Sequence, residues 1–267
     1  MSGINSIGSA DYSWLFSTKT QRQDSISQLW TSYNNYHSNA TSSLAGLSEI
    51  NTNLSSLMSS YDDAKTAFNA EFEENMSALS ESAKQVSRYS FHVVPTGAIT
   101  KTETTDPNGI TSTSTTYSKD LQSALNAVSD FVSNYNSSLQ FFNDNASVSR
   151  RVANLANTFS DTTYRASNYE AIGISVQSNG MLEINEEMLA NAIVNNPDKV
   201  SSVLGSDGLA GKAEQHVSFA TSQQGNLFPS AQSMLGDQIS AASLYTGKAY
   251  LAMSSYASVG NLVNMLF

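Results

Sequence analysis

Three histidines and 23 carboxylates are the side chains from which this chain would build a reactive or metal-holding site; it has no cysteine. His37, His92 and His216 lie far apart and show none of the paired spacings that zinc sites use, such as HExxH. The carboxylates form three small clusters: Asp62 with Asp63, Glu71 with Glu73 and Glu74, and Glu183 with Glu186 and Glu187. Paired carboxylates do acid–base work when burial separates their acidities. Each cluster here falls on a helix-forming or turn-exit stretch, where a solvated face is the expectation. Asp106-Pro107-Asn108-Gly109 opens like a calcium loop but lacks its later carboxylates. No nucleophile elbow, phosphate loop or dinucleotide fingerprint is present, and Gly205-Ser206-Asp207-Gly208 reads as a plain loop. The sequence therefore predicts no enzyme, no metal and no cofactor.

Composition points the same way. The net charge is -10, against the clustered Lys and Arg that nucleic acid or an anionic membrane surface requires. Charged residues are 13% of the chain, about half the usual share. Ser, Thr, Asn and Gln take their place, giving a polar, weakly charged surface suited to side-by-side assembly. No apolar run is long enough to span a bilayer, so no membrane insertion is expected. The start, MSGINSIGSADYSWLF, has neither a basic region nor an apolar core of signal-peptide length. Export, if it occurs, is expected to proceed without a cleaved signal.

A mainly α fold is predicted: a long antiparallel helical hairpin or coiled-coil rod with small β-hairpin insertions. Residues 1–21 read as a flexible N-terminal segment. Residues 22–171 read as the long hairpin, 172–229 as a β-hairpin with short helices, and 230–267 as a C-terminal helix. From about 22 to 88 there is no Pro and a single Gly. Apolar positions alternate by four and three through Leu44, Leu47, Leu54, Met58, Tyr61, Phe68 and Phe72, with His37, Asn51, Lys65 and Asn75 as weak points. Such a helix would reach roughly 80–100 Å. It must pack on another long element, and Leu125, Val128, Val132, Tyr135 and Leu139 repeat the rhythm further on. Packing within the chain is expected over a two-chain coiled coil. Helicity is expected to resume at Asp120, kink at Asn143–Asn145 and continue to about 170.

Between the helices, 89–117 changes character. Tyr89–Val94 is β-prone, and ITKTETT and ITSTSTTY flank a turn signal like the strands of an exposed hairpin. A second hairpin is expected over Ile172–Ile184, turning at Asn179-Gly180. Asn185 should cap the next helix, and Pro197 should open another that ends near Gly205. Leu209–Ala220 should be a further short helix. Trp14, Leu15 and Phe16 near the start, and Leu262, Val263, Leu266 and Phe267 at the end, are apolar spots expected to make assembly contacts.

Three segments carry a family resemblance. Phe131, Tyr135 and Asn136 stand in an FVxxYN stretch. Ile172, Gly173 and Ile174 start an IGI strand, followed by Gly180 and Leu182. A leucine-bearing helix then leads to Asn196, Pro197 and Val200. In this order, over roughly 120–210, they resemble the C-terminal region of the bacterial flagellar filament cap family, the hook-associated protein 2 family. The resemblance implies an exported, non-catalytic, homo-oligomeric structural protein at the filament tip that assists flagellin assembly. It implies flagellin or other flagellar axial proteins as partners, a possible export chaperone and, in some members, cell adhesion. Typical members carry large β-rich central domains, where this chain has only 89–117. A minimal cap or a divergent paralogue fits that departure. Two alternatives share the helical, weakly charged make-up: a flagellin-like or hook–filament junction subunit, and a secreted helical-hairpin adhesin or effector.

Overall fold

The computed structural model describes residues 27–34, 47–105 and 111–236. By contact the chain divides into two compact units, one of residues 1–71 with 229–267 and one of residues 72–228. Predicted contacts at Trp14, Leu15, Phe16, Leu262, Val263, Leu266 and Phe267 lie outside the described residues, as do His37 and Leu44 and the side chains of Leu47 and Leu54.

Helix α1 spans 27–34 and α2 spans Leu47–Arg88. The ribbon β1 (Ile99–Thr105) and β2 (Thr111–Tyr117) follows. Next come α3 (Lys119–Asp144) and α4 (Arg150–Phe159), then a 3-10 turn at Asp161–Arg165 and α5 (Ala166–Glu170). A second ribbon, β3 (Ile174–Val176) and β4 (Leu182–Ile184), precedes α6 (Glu186–Asn195), α7 (Pro197–Leu204) and α8 (Leu209–Gln223). Residues 231–236 form α9. Both ribbons are antiparallel and two-stranded.

In the first unit, Leu29, Leu57, Tyr61, Ala64, Phe68 and Leu235 are buried. The Tyr61 hydroxyl donates to Pro229 O at 2.8 Å. Ser32 and Ser60 hydroxyls meet at 3.0 Å.

In the second unit, α2 and α3 run antiparallel. Asn134 Nδ2 reaches Ala78 O at 3.4 Å and Ser138 Oγ reaches Asn75 O at 3.3 Å. The Phe72 ring lies 6.3 Å from Phe141 and 6.2 Å from Phe142. Residue numbers thus rise along one helix as they fall along the other. Of the seam positions, Phe72, Leu125, Val128, Val132, Tyr135 and Leu139 are buried in this unit; in the first unit Tyr61 and Phe68 are buried, Met58 is half-buried and Lys65 is exposed. The buried stripe is wider than a coiled-coil seam, however. On α3 it takes in Ala124, Ala127, Phe131, Ser138 and Phe141 as well. A helix covered on one side by a single partner needs two positions in seven; α3 is covered by α2 and also by α4, β4 and α6. It is a core helix of a globular unit.

Three local expectations are corrected. Tyr89–Val94 forms no strand, although its alternation is real: Phe91 is buried against Tyr89, ring centroids 5.2 Å apart, with Ser90 and His92 exposed. A strand needs a ladder partner, and among the described residues none pairs here. The helix expected to reach 170 stops at Phe159, where Ser160 turns out of helical geometry and the 3-10 turn begins. Glu71, placed on a solvated face by its sequence cluster, is only 6% exposed.

Candidate functional site at the hairpin junction

A ribbon of three residues per strand does not hold its shape alone. The β3–β4 ribbon gains its support from α3 through one side chain. Asn136 Nδ2 donates to Leu182 O at 2.8 Å, and Leu182 N donates to Asn136 Oδ1 at 2.9 Å. A carboxamide carries the same donor and acceptor as a peptide group. Asn136 therefore pairs with the outer edge of β4 as a strand residue would.

Two glycines let the ribbon approach its neighbours. Gly173 (φ +87) lies against the start of α6, where a Cβ would stand 2.7 Å from Leu189 N. Its carbonyl accepts from Asn185 N at 2.8 Å. Gly180 (φ +86) lies against the end of α4, where a Cβ would stand 2.6 Å from Ser160 Cα. Both need a left-handed backbone and have no room for a side chain. Thr162 Oγ1 donates to Gly180 O at 2.7 Å, which ties the turn to the 3-10 segment. The tie gives the physical reason for the break after Phe159: the hairpin turn docks where a straight helix would have continued.

Tyr135, one residue before the clamp, is fully buried and its hydroxyl donates to Phe159 O. Burial, then the nearby Asp161 charge, pushes its phenol far above the ordinary range. Asp161 is itself a hub. Lys212 Nζ sits 2.8 Å from its Oδ2 and His216 Nε2 sits 3.6 Å from the same atom. Lys212 and His216 are one helical turn apart on α8, so both face the 3-10 segment. The His216 ring packs on Phe159 at 5.2 Å, and its Nδ1 is buried without a hydrogen-bond partner. Burial lowers its pKa; Asp161 opposes that shift and Lys212 adds to it.

Of the residues that the sequence singled out, Phe131, Tyr135, Asn136, Ile172, Gly173, Ile174, Gly180 and Leu182 come to this junction or its walls. Phe131, Ile172 and Ile174 are buried. Pro197 stands apart, at the first turn of α7. Asp161, Thr162, Lys212 and His216 were not singled out as a group. The single sequence signal for them was the four-residue step from Lys212 to His216.

The junction is held by hydrogen bonds and an ion pair among its own residues. A groove of about 360 Å³ beside it is lined by Glu170, Gly173, Ser175, Glu183, Asn185 and Met188. Its two glutamates are exposed, without the water-excluded surroundings in which a carboxylate pair does acid–base work. Among the described residues no His, Asp and Glu group is disposed to hold a metal ion, and no helix is long and apolar enough to cross a membrane.

Residues 144–249 match the model of the family described as flagellar hook-associated protein 2 C-terminus. The match takes in the whole second hairpin, the 3-10 segment and α4 to α8. It begins after Asn136, whose side chain nonetheless completes the matched ribbon. No curated protein and no solved structure matches the chain.

Proposed function

We propose that this chain, whose residues 144–249 match the flagellar hook-associated protein 2 C-terminus model, is a non-catalytic structural component of the flagellum that works at the filament tip and assists flagellin assembly. The family match carries the reading. The junction supports it, since a ribbon fixed to α3 by a carboxamide and set close against α4 and α6 by two glycines suits a load-bearing part. In this reading the protein self-associates, contacts flagellin or another axial protein, and is exported without a cleaved signal, with an export chaperone as a further partner. The four-segment organisation applies, and contacts at Trp14–Phe16 and Leu262–Phe267 attach it to its neighbours. Cell adhesion is secondary, because only 89–117 stands where an outward domain would be.

The test is direct. Labelled full-length protein is mixed with filaments of flagellin from the same organism and imaged by electron microscopy. Label at one filament end is the expected result. Label along the filament sides, or none on filaments, overturns the proposal.

A further inference from the structure

The ribbon β1–β2 is tied to α6 by the ion pair of Lys101 Nζ with Glu187 Oε1 at 2.6 Å, a contact that involves β1 and leaves β2 out. All of its residues but Ile99 and Tyr117 are exposed. Among the described residues no third strand pairs with it. Two free sheet edges invite pairing, and proteins ordinarily guard such edges with charge or proline. The two edges differ. β1 carries Lys101 and Glu103, whereas β2 reads TSTSTTY, with no charge, no proline and no glycine over seven residues. β2 is thus an unguarded strand of high β propensity.

The register tells which backbone groups are free. Ser118 N donates to Ala98 O at 2.8 Å, and the ladder continues from Ile99↔Tyr117 to Thr105↔Thr111. By the alternation of an antiparallel ladder, Ser112, Ser114 and Thr116 turn their N–H and C=O toward β1. Thr111, Thr113 and Thr115 turn theirs outward.

From this we infer that β2 is an interface on which a second copy of this chain adds its own β2, antiparallel about Ser114. The strand is suited to itself. Pairing about Ser114 sets Thr113 opposite the partner's Thr115, a favourable cross-strand pair, and brings no like charges together. The two strands of the ribbon carry one Lys and one Glu, both on β1, so β2 itself brings no charge to the pairing. The product is a four-stranded sheet in place of two ribbons that are each marginal alone. Its Ser114 pair is of the non-hydrogen-bonded kind, with Cα atoms about 4.5 Å apart, inside the span of a disulfide. This inference deepens the self-associating reading above by naming a surface for it.

The experiment uses the full-length chain in sedimentation velocity across micromolar concentrations. T113K/T115K places Lys opposite Lys twice and should weaken association on the order of tenfold. T113K/T115E places Lys opposite Glu twice and should restore it; the same exposed positions are changed, so it controls for folding. Because the chain has no cysteine, Ser114→Cys gives a second reading. It should form a disulfide-linked dimer on oxidation, well beyond Thr102→Cys, which lies opposite it on β1 of the same ribbon. Association that both double variants leave unchanged, or equal cross-linking at the two cysteine positions, overturns the β2 interface and leaves self-association standing. A wild-type chain that stays monomeric throughout overturns both.

Discussion

Asn136 holds Leu182 by two hydrogen bonds of 2.8 and 2.9 Å, across 46 residues of sequence. A helix side chain thereby serves as the third strand of a two-stranded ribbon. Removing it strands a donor and an acceptor of the same peptide pair. Asn136→Ala should cost about 1–3 kcal/mol in urea unfolding, from the desolvated groups left behind. Asn136→Asp should cost no less, because it sets a carboxylate oxygen against Leu182 O. If Ala were tolerated within experimental error, the clamp would be ornamental.

The glycines separate two effects that usually travel together. Gly97 has φ +73 with open space where a Cβ would go, while Gly180 has φ +86 and a neighbour at 2.6 Å. Gly97→Ala should therefore show the left-handed backbone cost alone, about 1–2 kcal/mol. Gly180→Ala should add the overpacking cost, for a total of about 2–5 kcal/mol. Equal losses in thermal or urea unfolding would mean that the Ser160 contact yields freely.

His216 links stability to pH. Its folded pKa lies below the ordinary 6.5, chiefly through burial, with Lys212 adding to the effect and Asp161 opposing it. The neutral form is thus the one that the fold prefers. The sign follows: stability is full above about 6.5 and falls as pH drops from there toward the depressed folded value, by at most about 1.4 kcal/mol per pH unit. His216→Phe should flatten that part of the profile, since the ring then only packs on Phe159. Urea midpoints for both proteins between neutral and mildly acidic pH check it; parallel curves would exclude His216 as the source.

Tyr135 offers a smaller, cleaner loss. Tyr135→Phe keeps the buried ring and removes the hydroxyl that donates to Phe159 O. A loss of about 1–2 kcal/mol is expected, and no change in the far-ultraviolet helix signal.

Local signals in the sequence were legible where a residue acts on its own neighbours. Asn185 accepts from the backbone N–H three residues on and starts α6 as expected, and Ser118 and Ser149 cap α3 and α4 in the same way without having been expected to. Pro197 opens α7, and Gly180 takes the left-handed turn position. Both ribbons fall where alternation and turn residues put them. What the sequence hid are partnerships over distance. Lys212 and Asp161 are 51 residues apart, and nothing in either neighbourhood names the other. The four-three rhythm of α3 is blind to how many sides are covered, so a core helix reads as a rod. The break after Phe159 arises from a docked turn that lies some 20 residues later along the chain. The family segment with Asn136 was visible as a pattern, while its two bonds to Leu182 belong to the folded chain alone.

The bond from Tyr61 to Pro229 has a consequence in time. Its partners are 168 residues apart, and the unit it helps close is made from both flanks of the chain. On a ribosome adding about 5–20 residues per second, Tyr61 emerges roughly ten to thirty seconds before its acceptor exists. The second unit, residues 72–228, is complete first. The contact from Tyr61 to Pro229 that helps close the first unit is therefore available only after the second unit has been synthesised.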